Sequence, residues 1–492
     1  MRLRIFLLPA ILLALSAAHP PQVPATSLGA SPAQAATEPL PVRIRSLLTD
    51  TLAAPARRWP LLGSQLAKAF YRPRAYAPAW CDARQPGAQG RAALTLLAQA
   101  EDYGLQPRHY HVPTLRALAD SLALPAADAP GQRVAQLARF DVLLTDGLLQ
   151  FALHLRRGQL RAFRPSPLEK AGAPFAPAGW VARALAAPDF APALLRCQPP
   201  QREYRQLQQA LARWRRVPAG PNPLRRQRRA QQLALTLERW RWAAIPDAEY
   251  VLVNLPAYQL EVVRGGGVLE THRVVIGRPA NPTPTLSSRL TSFTVAPEWL
   301  VPRRVATEQI LPYLQANAHL PSEHDFLADN NYRLYDAQGR AVNPADVNWA
   351  AVTARNFPYT IRQSPGCGNL LGNIIFPFAN PYGLYLNDGP EPKWFEQSYR
   401  ALGHGCLQLQ APMRLAAYLL GPDAAAAHLP TEAQCEAAPK PRSFYLRRPV
   451  PLHVRYATCA VVAGQLKFYA DVYGQDEVLR RQLFGRSVAR TK

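Results

Sequence analysis

One cysteine in this chain stands in a context suited to chemistry. Cys406 follows Gly405 and precedes the alternating run Leu407-Gln408-Leu409, the pattern of a tight turn entering a strand. A glycine before a cysteine lets the backbone come close to a bound carbonyl, and the N–H groups of Gly405 and Cys406 can then face a developing oxyanion. That arrangement suits acyl transfer through a thioester, with a thiolate as nucleophile. The other five cysteines, Cys81, Cys197, Cys367, Cys435 and Cys459, read as free buried thiols or disulfide partners, with Cys81–Cys197 and Cys435–Cys459 the first pairings to test.

Six cysteines in 492 residues do not make a disulfide scaffold, and no CxxC pair or HExxH helix suggests a metal site. Neither metal nor cofactor is expected. The amino terminus reads MRLR, an apolar run over residues 5–18, then a polar Pro-rich stretch, with small residues at Ser16 and Ala18 or at Ala33 and Ala35. These are the parts of a secretory signal peptide, and the apolar run is shorter than the ~20 residues of a membrane span. The expectation is an exported, periplasmic protein, one associated with the cell envelope at most. With 57 Lys+Arg against 33 Asp+Glu the net charge is +24, which suits an anionic partner without choosing one. A hydrophobic content of 48 % argues against disorder despite 50 prolines, and the length suggests two to four domains.

The elements that must hold the thiol come in two blocks. Residues 40 to about 215 read as helical. Leu137, Phe140, Leu144, Leu148, Phe151 and Leu155 form one apolar stripe, and residues 91–105 form a helix ending at Gly104. Between Arg202 and Arg229 lie nine arginines and one acid around a PAGPNP linker. This segment reads first as a solvated helix face, the alternative being a contact with anionic glycan, lipid or nucleic acid. The pattern then changes period: YVLVNLPAYQLEVV, a glycine-rich turn at 265–267 and VLETHRVVIG read as two strands of a hairpin. Further β runs follow at 290–295, 382–386 and 450–462, with a helical insertion over 307–317. The fold class is α+β, a helical domain followed by a mostly β domain with helical insertions.

Across both blocks the chain resembles the YkuD-type L,D-transpeptidases, in particular the large YcbB-like subgroup. The likeness is carried by FDVLLTDGLLQFALHLRRGQL in the helical half. In the β half it is carried by LERWRW, YVLVNLPAYQLEV, VVIGRPANPTPTL, APEWLVP, IRQSPGCGNLLGNIIFPF, YLND, GHGCLQL and VPLHVRYATCAV in the family's order. It implies a signal peptide and leader over 1–36, a helical scaffold domain over 37–216 and a basic linker and helix over 217–245. A YkuD-like catalytic domain would follow over 246–475, with a capping insertion at about 300–360, then a basic tail over 476–492. It implies an enzyme whose cysteine takes an acyl group from a peptidoglycan stem tetrapeptide, releases D-alanine and passes the acyl group to a diaminopimelate amine on a neighbouring strand. On matching positions Cys406 is the nucleophile, Gly405 and Cys406 supply oxyanion N–H groups, and Tyr385, Gly403 and Gln408 lie along the substrate site.

Three departures stand out. The family's histidine falls in a YLHD-like context nineteen residues before the cysteine, and that position is Asn387 here, a side chain that takes no proton near neutral pH. His404 is the nearest substitute base, although the family carries histidine there as a structural residue; His453 is more distant and reads as a strand histidine. Gln408 replaces the usual arginine, and the sequence leaves no room for a peptidoglycan-binding module before LERWRW. Cys367 is a fourth oddity, because a Cys367–Cys406 disulfide would silence the thiol. The rival readings are a degenerate transpeptidase that binds or regulates the cell wall without turnover, and a nucleic-acid binder motivated only by charge. No nucleic-acid motif supports the latter.

Overall fold

The computed structural model describes residues 38–49, 61–82, 84–124, 130–160, 175–218, 221–242, 244–316, 326–366, 368–389, 391–437 and 440–485. The leader expected at 1–36 lies outside them, and no described helix is long and apolar enough to cross a membrane.

Among the described residues the first block contains α1 (Leu40–Thr49), α2 (Ser64–Tyr71), α3 (Ala88–Ala98), α4 (Val112–Ala123), α5 (Pro130–Arg157), α6 (Pro177–Leu185) and α7 (Phe190–Leu195). The stripe on α5 is fully buried from Leu137 to Leu155, and the other helices pack around it. The helix read over 91–105 comes as α3, a 3₁₀ turn at Ala100–Tyr103 and Gly104 at φ +69°. Asp141 on α5 is a buried hub: its carboxylate accepts the Tyr71 hydroxyl at 2.5 Å and the N–H groups of Ala79, Trp80 and Cys81 at 2.8–3.2 Å. These bonds tie the loop before α3 to the central helix.

The expected disulfides do not form. None of Cys81, Cys197, Cys435 and Cys459 is in a disulfide. The Cys81 thiol donates to Leu137 O and the Cys197 thiol to Ala152 O. Those carbonyls lie fifteen residues apart on α5, about 22 Å along the axis, far beyond the reach of a disulfide. Cys435 is packed in the core of the main sheet, and Cys459 in a separate cluster with Trp240 and Tyr250. Cys367 lies outside the described residues.

Helices α8 (Arg202–Arg216) and α9 (Pro223–Trp242) lead to the β block. Much of their arginine is engaged locally. Arg215 pairs with Glu101 and Asp102, Arg226 donates to Trp214 O at 2.5 Å, and Arg229 lies 4.1 Å over the Phe468 ring.

The strands are β1 (Glu249–Asn254), β2 (Gln259–Arg264), β3 (Gly267–Gly277), β4 (Leu286–Val295), β5 (Trp299–Leu300), β6 (Tyr332–Tyr335), β7 (Ala341–Val342), β8 (Thr360–Gln363), β9 (Ile374–Pro377), β10 (Tyr385–Asp388), β11 (Ala401–Gly403), β12 (Leu407–Leu409), β13 (Arg442–Arg455), β14 (Cys459–Val462) and β15 (Gln465–Phe468). YVLVNLPAYQLEVV is thus two strands and not one. Pro256 cannot donate to a ladder and Tyr258 sits at φ +52°, so the chain reverses there and β1 pairs antiparallel with β2. Nine strands form one sheet in the order β11-β3-β12-β10-β9-β4-β13-β1-β2, which closes on itself because β3 also pairs with β2. Its core holds Val251, Val253, Leu260, Ile276, Phe293, Phe376, Leu386, Leu407 and Leu409.

The insertion carries its own sheet, β5-β8-β6-β7, and its own core of Trp299, Ile310, Leu314, Leu334, Trp349, Phe357 and Ile361. Ile375 and Tyr385 from the main sheet pack against that core. Beyond β15, residues expected as a basic tail form a helix, Gln475–Phe484, because Leu479 and Leu483 share a face that buries against Leu235 of α9.

Candidate active site

Strands β10 and β12 run parallel and adjacent, with Leu386 opposite Leu407 and Asn387 opposite Gln408. Leu386, Leu407 and Leu409 are completely buried in the core. By strand alternation Tyr385 and Asn387 of β10 share the opposite face with Cys406 and Gln408. This is the face against which the insertion packs through Tyr385.

Tyr385 lies beside the Cys406 thiol, and its backbone N–H and its phenol both favour the thiolate. Trp299 of the insertion neighbours the phenol and favours its ionised form. Burial raises the Cys406 pKa and the influence of Tyr385 opposes the rise; the shift that remains is upward. Burial, and then the neighbouring Cys406, raise the Tyr385 phenol as well, so at neutral pH it is a donor to sulfur and not a base.

The turn before the thiol is held by β3 and the loop after it. Gly405 has φ +117°, a conformation that L side chains rarely adopt. Its carbonyl accepts the Thr283 hydroxyl at 2.8 Å, and the Gly403 carbonyl accepts the Arg278 N–H at 2.9 Å. A Cβ on Gly403 would lie 3.2 Å from the Ile276 carbonyl. Gly403, expected along the substrate site, is buried and packs the turn onto β3.

Asn387 is 2 % exposed, and its amide donates to Asp388 O at 2.9 Å and to Leu370 O and Leu371 O at 3.4 Å. It pins the SPGCGNLLG loop to β10. Asn369 and Gln363 hold the same loop: Asn369 donates to Pro297 O and Ser364 O, and Gln363 donates to Gly368 O and accepts from Leu370 N. The Asn387 Oδ1 and Gln408 Oε1 atoms are both buried without a hydrogen-bond partner.

Neither substitute histidine meets the thiol. His404 is exposed, and the contacts on the sulfur come from Tyr385. His453 lies on β13, separated from β10 by β9 and β4, and its Nδ1 is 2.9 Å from Ser287 Oγ. Burial lowers its pKa to about 3, with Arg455 and Arg289 adding to the effect.

Tyr385, Asn387, Gln408 and the Gly405–Cys406 turn are brought together; His404 and His453 are not in contact with the sulfur. Sequence reasoning assigns no role to Trp299, Thr283, Gln363, Asn369 or Tyr473. Trp299, Thr283, Gln363 and Asn369 all fall inside quoted motifs, so a polar or aromatic residue within a motif strand or loop is the available signal. No group of three or more His, Cys, Asp or Glu side chains among the described residues could hold a metal.

A helical scaffold followed by a β domain that carries a thiol-bearing turn defines a two-part, cysteine-centred class of protein. Residues 65–211 match the scaffold domain family and residues 248–432 match the L,D-transpeptidase catalytic domain of the YkuD family. A candidate L,D-transpeptidase of Haemophilus influenzae is 32 % identical over 248 residues, 50 % of this chain and 48 % of that protein, so the chain spans about half of that relative. A cysteine-to-serine mutant of the Enterococcus faecium L,D-transpeptidase aligns at 12 % identity over 43 % of this chain and 52 % of that one, with a TM-score of 0.21. L,D-transpeptidase 1 of Mycobacterium tuberculosis aligns at 16 % identity over 42 % and 62 %, with a TM-score of 0.18. These two superpositions are too low to carry an argument about the site. Residues 248–432 thus match the YkuD-type L,D-transpeptidase catalytic domain, and half of the chain is similar to the Haemophilus influenzae relative.

Proposed function

We propose that the chain is a thiol acyltransferase that uses Cys406 to form 3–3 cross-links between peptidoglycan stem peptides. The Cys406 thiolate attacks the carbonyl that precedes the terminal D-alanine of a stem tetrapeptide. The S–C bond forms, the C–N bond breaks, and D-alanine leaves carrying the proton the thiol gave up. A diaminopimelate side-chain amine on a neighbouring strand then attacks the thioester, the new amide forms and the thiol is regenerated. Tyr385 stabilises the thiolate as a donor, and Asn387 takes no part in proton transfer.

The observation that carries this reading is the thiol's position on a glycine turn, facing away from the core, with Tyr385 beside it favouring the thiolate. Export to the periplasm fits this substrate. Arg205, Arg213, Arg225 and Arg228 are exposed on α8 and α9 and are available to an anionic envelope component. Nucleic acid is not part of this reading.

A second reading is favoured by the Asn387 amide, whose hydrogens are committed to backbone carbonyls. In it the chain is a degenerate transpeptidase that keeps the groove and binds or regulates the wall without turnover. Incubating the full chain with tetrapeptide muropeptides and analysing the products by mass spectrometry separates the two. Cross-linked dimers from wild type support the enzyme. Their absence from wild type together with their appearance in Asn387→His supports the degenerate protein.

A further inference from the structure

The carbonyl of Gly405 and the N–H of Cys406 belong to one trans peptide plane, so fixing one aims the other in the opposite direction. Thr283, only 2 % exposed, donates its hydroxyl proton to the Gly405 carbonyl at 2.8 Å and accepts the Gly277 N–H at 2.9 Å. Its single O–H is therefore committed to Gly405, since the same oxygen is already the acceptor for Gly277.

Thr283 is itself held. The Tyr473 hydroxyl donates to the Gly277 carbonyl at 2.6 Å and accepts the Thr283 N–H at 3.2 Å, closing a ring of bonds through Gly277, Thr283 and Tyr473. Tyr473 stacks on Tyr456 with ring centroids 5.7 Å apart, and its N–H donates to the Tyr456 hydroxyl at 2.8 Å. Tyr456 donates onward to Asp471 at 2.6 Å. All three lie beyond residue 432, where the match to the catalytic domain family ends.

We infer that Thr283, locked by Tyr473 from the carboxy-terminal segment, is a positioning residue that points the Cys406 N–H away from itself as the oxyanion donor. The inference rests on the acyl-transfer reading of Cys406. Gly405 is the residue whose backbone must bend to bring its carbonyl onto Thr283, which accounts for its φ of +117°. The segment after β13 is accordingly part of the active site.

The test compares two reactions of the same thiol in the full chain: acylation by p-nitrophenyl acetate, which develops an oxyanion, and alkylation by iodoacetamide, which does not. Wild type acylates faster, relative to its alkylation, than glutathione does. Thr283→Val lowers the acylation rate about 10- to 100-fold, within the effect expected for losing one oxyanion donor, and leaves the rate and pH profile of alkylation in place. Thr283→Ser, which keeps the hydroxyl, restores acylation. Tyr473→Phe, which keeps the ring and loses both bonds, reduces acylation in the same selective way and decides the matter should the valine variant not fold.

Acylation and alkylation falling together in Tyr473→Phe, or wild-type acylation in Thr283→Val, overturns the inference. So does a wild-type thiol with no acylation advantage over glutathione. A wild type that keeps the advantage but forms no cross-links from stem tetrapeptides overturns the substrate reading and leaves the positioning role standing.

Discussion

Tyr385 lies beside the Cys406 thiol, its backbone N–H and its phenol both favouring the thiolate, two residues before Asn387 in the chain. No histidine is among the described groups that bear on the sulfur. Trp299 neighbours the phenol, so the insertion reaches the nucleophile by way of Tyr385.

The first consequence concerns pH. Burial holds the Cys406 pKa above that of a free thiol, so alkylation by iodoacetamide should still be rising above pH 9. Removing the phenol in Tyr385→Phe withdraws a group that favours the anion. The profile should move further up, and the rate at pH 7 should drop. A profile centred near pH 6 in wild type would mean that some base activates the thiol after all.

Restoring a base should raise activity. Asn387 and Gln408 face one another across adjacent strands, and the free Gln408 Oε1 is available to accept from a ring N–H at position 387. Asn387→His should increase acylation of Cys406 by at least about tenfold, short of the roughly 100- to 10,000-fold that an optimally placed general base supplies. The check is single-turnover acylation followed by intact-protein mass spectrometry. A slower variant would show that the amide's bonds to Leu370 and Leu371 matter more than a base.

Acid should destabilise the fold through His453. Its folded pKa is lowered to about 3, against about 6.5 when unfolded, so the unfolded chain binds the extra proton throughout that window. Stability therefore falls as pH drops from about 6.5 towards 3, by at most about 1.4 kcal/mol per unit from this group. The Asp247 carboxylate 3.7 Å from Nε2 offsets part of the loss, while Arg455 and Arg289 deepen it. Thermal melts of His453→Gln at pH 7 and pH 5 should show a smaller gap than wild type; an equal gap would assign the acid sensitivity elsewhere.

In the scaffold, Asp141→Ala should strand the N–H groups of Ala79, Trp80 and Cys81, while the Tyr71 hydroxyl keeps the residue-141 carbonyl and Thr145. Each buried unsatisfied donor costs about 1–3 kcal/mol, so the melting temperature should fall by several degrees or more. Asp141→Asn, which keeps an acceptor, should lose less. Equal losses would place the stability in packing around α5.

Unfolding without reductant should expose reactive thiols at Cys81, Cys197, Cys435 and Cys459, none of them in a disulfide. Thiol titration in denaturant, followed by peptide mapping, checks this. A Cys81–Cys197 cross-linked peptide from the native protein would contradict the separation of their two anchoring carbonyls on α5.

Patterns that repeat within a few residues are legible in the amino-acid order alone. The stripe from Leu137 to Leu155 is one, since a helix repeats its face every three to four residues. The turn at Gly405–Cys406 is another, since glycine and the alternation after it mark a local reversal into a strand. The family likeness rests on such short motifs in order. The break at Leu255–Ala257 is hidden in the sequence, because apolar residues on both sides of Pro256 read as one continuous strand.

The sequence by itself thus determined the two-block α+β architecture, the nucleophile's turn and the absence of histidine at position 387. Tertiary structure decided what surrounds the sulfur. Thr283 lies 122 residues from Gly405, and Tyr473 lies 196 residues from Gly277. Contacts at such separations follow from strand register and from where the closed sheet brings its ends. No local period or spacing encodes them, because their free energy comes from groups that meet only once the core of Leu386, Leu407 and Leu409 has packed.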